Sequence, residues 1–413
     1  MILRARIVLL ISQPPIENGA VIISENKIRA VGKWNDFSKI SDKKIFDLGD
    51  SILLPGLVNA HCHLDYTDMA GLLSPPKTFT DWIPRMLAAK AAWSYTDYAK
   101  SWLNGAKMLL QTGTTTVADI EAIPELLPEV WNSTPLRIFS FLEMTGVRSK
   151  RQPKEILGDA VEKINLLAHP RCRSGLSPHA PYSTSPELLR LCAEIAREKN
   201  LRITTHVAES EQEFEMFACA RGEMFRWLEK NERDNSDCGL GSPIAHLERA
   251  GLLAENFLAV HANYLAETDF DLLARRNASV VHCPGSHDYF RHLKFPVEKL
   301  LKSGVNICLG TDSLATIRKN GKENLELNLF REMQLFAQTN PNLPPQTVLR
   351  MATANGARAL GLAGQTGEIL ENAFADLIAI PFAGKITDIY DAVLHHSSTI
   401  SASMIDGKWA IAP

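Results

Sequence analysis

Between about Pro55 and Leu360, amphipathic stretches of ten or more residues alternate with short apolar runs. One unit shows the grammar in full. Ser185 suits an N-cap and Pro186 the first helical position, while Leu188, Leu191, Cys192 and Ile195 fall at i, i+3, i+4 and i+7, an apolar stripe that predicts a helix lying on a sheet. Asn200 ends it, and LRITTHV predicts the next strand. The same order recurs at NGAKMLLQTG before TTTVADI, DFDLLARRN before ASVVHCPGS and VEKLLKSG before VNICLGTDS. In all, eight strand candidates emerge: LVNAHCHLDY, TTTVADI, RIFSFLEM, CRSGLSPHA, LRITTHVAE, FLAVHANY, SVVHCPGS and VNICLGTDS. Strands that alternate with helices predict parallel pairing, and eight such units predict an α/β fold, a distorted (β/α)8 TIM barrel over residues 55–360.

The two ends of the chain read differently. Up to Leu54, short β-rich runs such as Ile7 to Ile11 and Ala20 to Ile23 are separated by turn signals at Asn18-Gly19 and Glu25-Asn26. After Leu360 the same character returns in ADLIAI and SMIDGKWAI. Residues 1–54 and 361–413 are therefore expected to pair into one small β-sandwich flanking the barrel. No tandem repeat or low-complexity segment interrupts this organisation.

Composition narrows the partners. The 413 residues carry 44 basic and 47 acidic side chains, a net charge of −3, and are 45% hydrophobic. Disorder is excluded, and no basic excess points to nucleic acid or an anionic membrane surface. The seven cysteines are scattered, without C-x-x-C, as in a protein that keeps its thiols reduced. The initial apolar run reads as a strand rather than a signal peptide, and none approaches the ~18 residues of a membrane span. A soluble, cytoplasmic protein acting on a small molecule is expected. A homo-oligomer is compatible with that reading.

His61-Cys62-His63 stands near the end of the first barrel strand, where alternation puts both imidazoles on one face, a pair suited to zinc or iron. H-x-H alone is also met in unrelated polar strand ends. Position adds weight, because His179, His206, His261, His282 and Asp312 stand near the C-terminal ends of other strands, the rim where barrel active sites assemble. A ring of imidazoles with neither metal nor partners would leave several hydrogen bonds unmade. His169, His246, His292, His395 and His396 lie outside these strand ends and read as ordinary surface or capping residues.

In order, PGLVNAHCHLD, SPHAPYS, THVAES, VHANYL, HCPGSH and LGTDS resemble the signature of the metal-dependent amidohydrolase superfamily, in particular its heterocycle-deaminase and chlorohydrolase branch. The resemblance spans essentially the whole chain. It implies one divalent metal ion, zinc first with iron as the alternative, held by His61, His63, His206 and Asp312 and completed by water or hydroxide. A divalent ion acidifies bound water until hydroxide is available at working pH. In this reading Asp312 also takes a proton, Glu209 protonates a ring nitrogen of the substrate as general acid, and His261 hydrogen-bonds the nucleophile and leaving group. Each residue has a plainer alternative: Glu209 as a first-turn carboxylate facing a helix dipole, His261 as a core histidine.

His179 aligns with the family position that contacts the substrate ring, although Pro178 and Pro181 also suit a rigid turn. Ser286-His287 departs from the more usual Ser-Asn. Phe79 and Trp82, after the first strand, are candidates to cover an aromatic ring or simply to pack. Where adenosine-type relatives place a ribose-gripping carboxylate, this chain has Lys90 and Ala91, which puts that clamp in doubt. Arg148 and Arg151 are candidates for an anionic substrate group, although each reads first as a solvated loop residue.

The implied activity is hydrolytic deamination of an amino-substituted nitrogen heterocycle, with a purine or adenine nucleoside first, of the methylthioadenosine, adenosylhomocysteine or aminodeoxyfutalosine type. A triazine-type chlorohydrolase and a catalytically silent metal-binding barrel are the alternatives. Strand four has no lysine to bridge two metals, and neither H-E-x-x-H nor an H-x-E followed by P-C-x-x-C is present.

Overall fold

The computed structural model describes residues 1–38, 40, 43–147, 149–319 and 325–413, so Arg148 lies outside the described residues. Eight parallel strands follow one another around a barrel sheet in chain order: β1 (Leu57–Cys62), β2 (Thr114–Glu121), β3 (Arg137–Met144), β4 (Cys172–Pro178), β5 (Ile203–Val207), β6 (Phe257–His261), β7 (Ser279–His282) and β8 (Asn306–Leu309). Every expected strand is present. The helix predicted after Ser185 runs from Pro186 to Glu198, and Ser185 Oγ accepts from the Leu188 amide at 3.2 Å.

The seam between β8 and β1 closes just beyond the strand ends. The Asp312 amide donates to the His61 carbonyl at 3.1 Å, and the His63 amide donates to the Asp312 carbonyl at 3.4 Å. Such contact demands a residue without a side chain: a Cβ on Gly310 would lie 2.7 Å from the His61 carbonyl oxygen. Asp312 itself adopts the left-handed conformation, φ +54°, which a short polar side chain tolerates better than a branched one.

The terminal segments join in a separate mixed sheet of eight strands. Its centre is the strand Ser51–Pro55, parallel to Ile2–Val8 on one side and antiparallel to Leu377–Pro381 on the other. Leu3, Val8, Val21, Ile28, Leu377 and Met404 form its main apolar cluster. Asn18-Gly19, expected as a turn, lies inside the strand Ile16–Ser24. There Asn18 Oδ1 accepts from Arg4, and Gly19 lets the neighbouring strand approach so closely that a Cβ would meet Val8 Cγ2 at 2.7 Å. The turn at Glu25-Asn26 is present. The run Ile7 to Ile11 leaves its strand after Val8, and Leu9, Leu10 and Ile11 are buried without joining a strand.

Sheet and barrel are tied by charge at the start of β3. Arg137 donates through Nε and Nη2 to the two Asp376 carboxylate oxygens, at 2.9 and 3.3 Å, and its guanidinium lies 3.9 Å from the Phe374 ring centroid. Among the described residues no helix is long and apolar enough to cross a membrane.

Candidate metal centre and active site

The C-terminal ends of β1, β5, β6 and β8 bring one polar side chain each, or two from β1, to a common point. His61, His63 and His206 are buried, and their ligating nitrogens lie within 4.8 Å of one another. His63 Nε2 and His206 Nε2 are 3.2 Å apart. Asp312 Oδ1 stands 3.6 Å from His61 Nε2 and 3.7 Å from His63 Nε2. Two facing imidazole nitrogens beside a carboxylate form a set of lone-pair donors suited to a cation.

The protonation states agree. Burial, then repulsion from His61, pushes His63 down to about 3, and burial with four neighbouring imidazoles takes His206 well below its usual value. Burial alone would raise the Asp312 carboxyl, but the His61, His261 and His63 imidazoles hold it well below the ordinary range. Neutral imidazoles and an ionised carboxylate are the forms that bind a divalent cation. Outer contacts aim them: His206 Nδ1–H donates to the His179 carbonyl at 2.9 Å, leaving Nε2 as the free lone pair, and Asp312 Oδ2 accepts from Thr316 Oγ1 at 3.1 Å. Both His61 ring nitrogens are buried without a hydrogen-bond partner among the described residues, so His61 has ligating capacity that the protein leaves unused. The residues fit a single divalent ion.

Glu209 and His261 flank this cluster, with Glu209 Oε1 3.6 Å from His261 Nε2. Burial first, then the nearby Asp312 and Glu213 charges, raises Glu209 well above the ordinary carboxyl range, which favours its protonated form. Its backbone is held on both sides: the Glu209 amide donates to Glu213 Oε2 at 2.9 Å and Asn263 Nδ2 donates to the Glu209 carbonyl at 2.9 Å. Asn263 is oriented in turn by His287, whose Nδ1 lies 3.1 Å from Asn263 Oδ1.

A cavity of about 310 Å³ opens from this centre. His179, Phe79 and Trp82 line it. Phe79 and Trp82 sit on the helix Phe79–Ala91, with ring centroids 5.8 Å apart, and both pack against Phe290. Burial lowers His179, which keeps Nδ1 2.6 Å from Ser183 Oγ.

Other expected candidates lie elsewhere. His282 is outside the cavity lining, stacked on Phe295 at 3.9 Å. Arg151 is half exposed and pairs with Asp159 at 2.5 Å, as a loop residue would. His246 and His396, expected at the surface or in caps, are buried. His246 is on the inner face of its helix beside Phe217 and Asp237, and His396 packs on Phe330.

Sequence reading missed Glu143. This carboxylate stands one residue from the end of β3 and lines the cavity between Lys90 and His179. Its one signal was an acid near the C-terminal end of an otherwise apolar barrel strand.

A family model described as the amidohydrolase family matches residues 52–410. The chain is 31% identical over 417 aligned residues to a 5-methylthioadenosine/S-adenosylhomocysteine deaminase of Syntrophobacter fumaroxidans, covering 94% of this chain and 87% of that protein. Two solved structures share the fold. An aminofutalosine deaminase of Helicobacter pylori in complex with methylthio-coformycin has TM-score 0.87 and 23% identity, over 99% of this chain and 100% of that one. An adenosine deaminase of Xanthomonas campestris with bound zinc has TM-score 0.84 and 24% identity, over 100% and 92%.

Proposed function

The chain belongs to the amidohydrolase family, and from that membership we propose that it hydrolyses the exocyclic amine of an adenine nucleoside bearing a modified 5′ end, releasing ammonia. The observation that carries this reading is a buried carboxyl, Glu209, set beside His261 and a three-imidazole, one-carboxylate cluster in a cavity with aromatic walls.

His61, His63, His206 and Asp312 would hold one zinc ion, which when bound supplies an acidified water as nucleophile. Glu209 holds the proton for the ring nitrogen next to the attacked carbon, so that negative charge does not accumulate on the ring. His261 hydrogen-bonds the departing amine, and Asp312 takes up the proton released. His179 presents its imidazole to the ring edge while Phe79 and Trp82 cover its face and keep water out. Unpaired cysteines and a substrate of this class suit a cytoplasmic enzyme.

The test is metal analysis of purified protein together with an ammonia-release screen over adenosine, methylthioadenosine, adenosylhomocysteine, aminodeoxyfutalosine, guanine and cytosine, with chloride release from chlorotriazines in parallel. Stoichiometric zinc and ammonia from the 5′-modified adenosines are expected. Chloride release without ammonia from any aminopurine would overturn the reading.

A further inference from the structure

The cavity contains a second set of charges that the deamination centre does not use. Lys90 Nζ lies 3.6 Å from Glu143 Oε2, and His179 Nε2 lies 3.8 Å from Glu143 Oε1. The Lys90 ammonium also stands 4.9 Å from the Tyr66 ring centroid, which fixes it over an aromatic face at the cavity wall. Burial alone would raise the Glu143 carboxyl, but Lys90, His179 and His63 bring it down to about 2. It is an ionised carboxylate, only 9% exposed, facing a ligand cavity.

This pair differs from a structural ion pair. Both contacts are longer than a hydrogen bond, so the carboxylate oxygens keep lone pairs and the ammonium keeps protons for something else in the cavity. The charges cancel, so an anionic substituent would meet Glu143 and a cationic one would meet Lys90. A neutral group that donates and accepts at once suits both, and two adjacent hydroxyls match the two carboxylate oxygens. One imidazole, His179, separates the pair from the metal cluster, its ring 4.9 Å from that of His206. The neighbouring wall of Ile83, Met86 and Leu87 is apolar.

We propose that Glu143 and Lys90 form the subsite for the vicinal hydroxyls of the substrate's sugar, with Glu143 accepting from them, Lys90 donating to them, and the apolar wall taking the 5′ substituent. The proposal rests on the nucleoside reading above.

Adenosine and 2′,3′-dideoxyadenosine, which differ only in the two hydroxyls, test it. Zinc-loaded wild-type protein should prefer adenosine in kcat/KM by roughly 10- to 100-fold, the range of a charge-assisted hydrogen bond. Glu143→Gln, nearly isosteric, should erase most of that preference through the KM for adenosine while leaving the dideoxy substrate unchanged. A preference that survives the substitution, or an equal fall for both substrates, overturns the subsite. Should Glu143→Gln fail to fold, Lys90→Met reads the same preference. Calorimetric titration of Glu209→Gln protein with the two nucleosides separates the two ideas. A binding preference for adenosine that disappears on adding Glu143→Gln supports the subsite even if the wild type releases no ammonia, a result that would count against deamination alone. Binding of neither nucleoside overturns the subsite.

Discussion

The two ends of β3 hold ion pairs of the same chemical kind with opposite construction. At its start Arg137 grips Asp376 through two hydrogen bonds, and Asp376 also accepts from the Asp406 amide at 2.8 Å. Near its end Glu143 faces Lys90 and His179 at 3.6 and 3.8 Å, with capacity to spare. The first pair leaves nothing for a ligand; the second is open to one. The contrast follows the general division of a barrel, in which the N-terminal face carries stability and the C-terminal face chemistry. Charge alone does not distinguish the two pairs. Contact distance and hydrogen-bond saturation do.

Substitutions at either end should therefore be read by different instruments. The largest effect on chemistry is expected from His206→Ala, which removes a proposed metal ligand: metal content and turnover should both disappear, while the melting temperature of the metal-free forms changes little. Glu209→Gln should keep the metal and lose about 10²- to 10⁴-fold in kcat, the range of general acid–base catalysis. In the wild type, turnover should fall on the alkaline side as Glu209, raised by burial, gives up its proton, and the variant should lack that limb. Full activity in Glu209→Gln would remove the proton-transfer assignment.

At the other end, Arg137→Met should cost about 3–5 kcal/mol of stability by stranding a buried carboxylate, read by denaturant unfolding, with the KM of the folded fraction unchanged. A changed KM with intact stability would invert the comparison. The smallest effect is expected from His287→Ala, which frees Asn263 and through it the Glu209 backbone: a roughly 3- to 10-fold loss in kcat, partly restored by His287→Gln or His287→Asn.

Much of this was visible before any coordinates. Periodicity located all eight strands because each helix shows an apolar stripe and each strand a short apolar run, both local signals. Alternation put His61 and His63 on one face for the same reason. What was not legible is long-range. Lys90 looked like a missing carboxylate, because its partner lies on another element 53 residues away and no local pattern links a helix lysine to the penultimate residue of a strand. Asn18-Gly19 looked like a turn because its composition matches one. Only the approach of Val8 from the next strand shows that the glycine serves packing instead. His246 and His396 were misplaced since an isolated histidine carries no information about burial.

The hydrogen bonds that knit Asp312 to β1 give that residue two tasks, since its main chain fastens the last strand to the first while its side chain faces the imidazoles. Opening of the barrel at this join would draw the Asp312 carboxylate away from the imidazoles. Chelation should speed amide hydrogen exchange at residues 61–63 and 312 ahead of the rest of the sheet, and protection there should return with the ion.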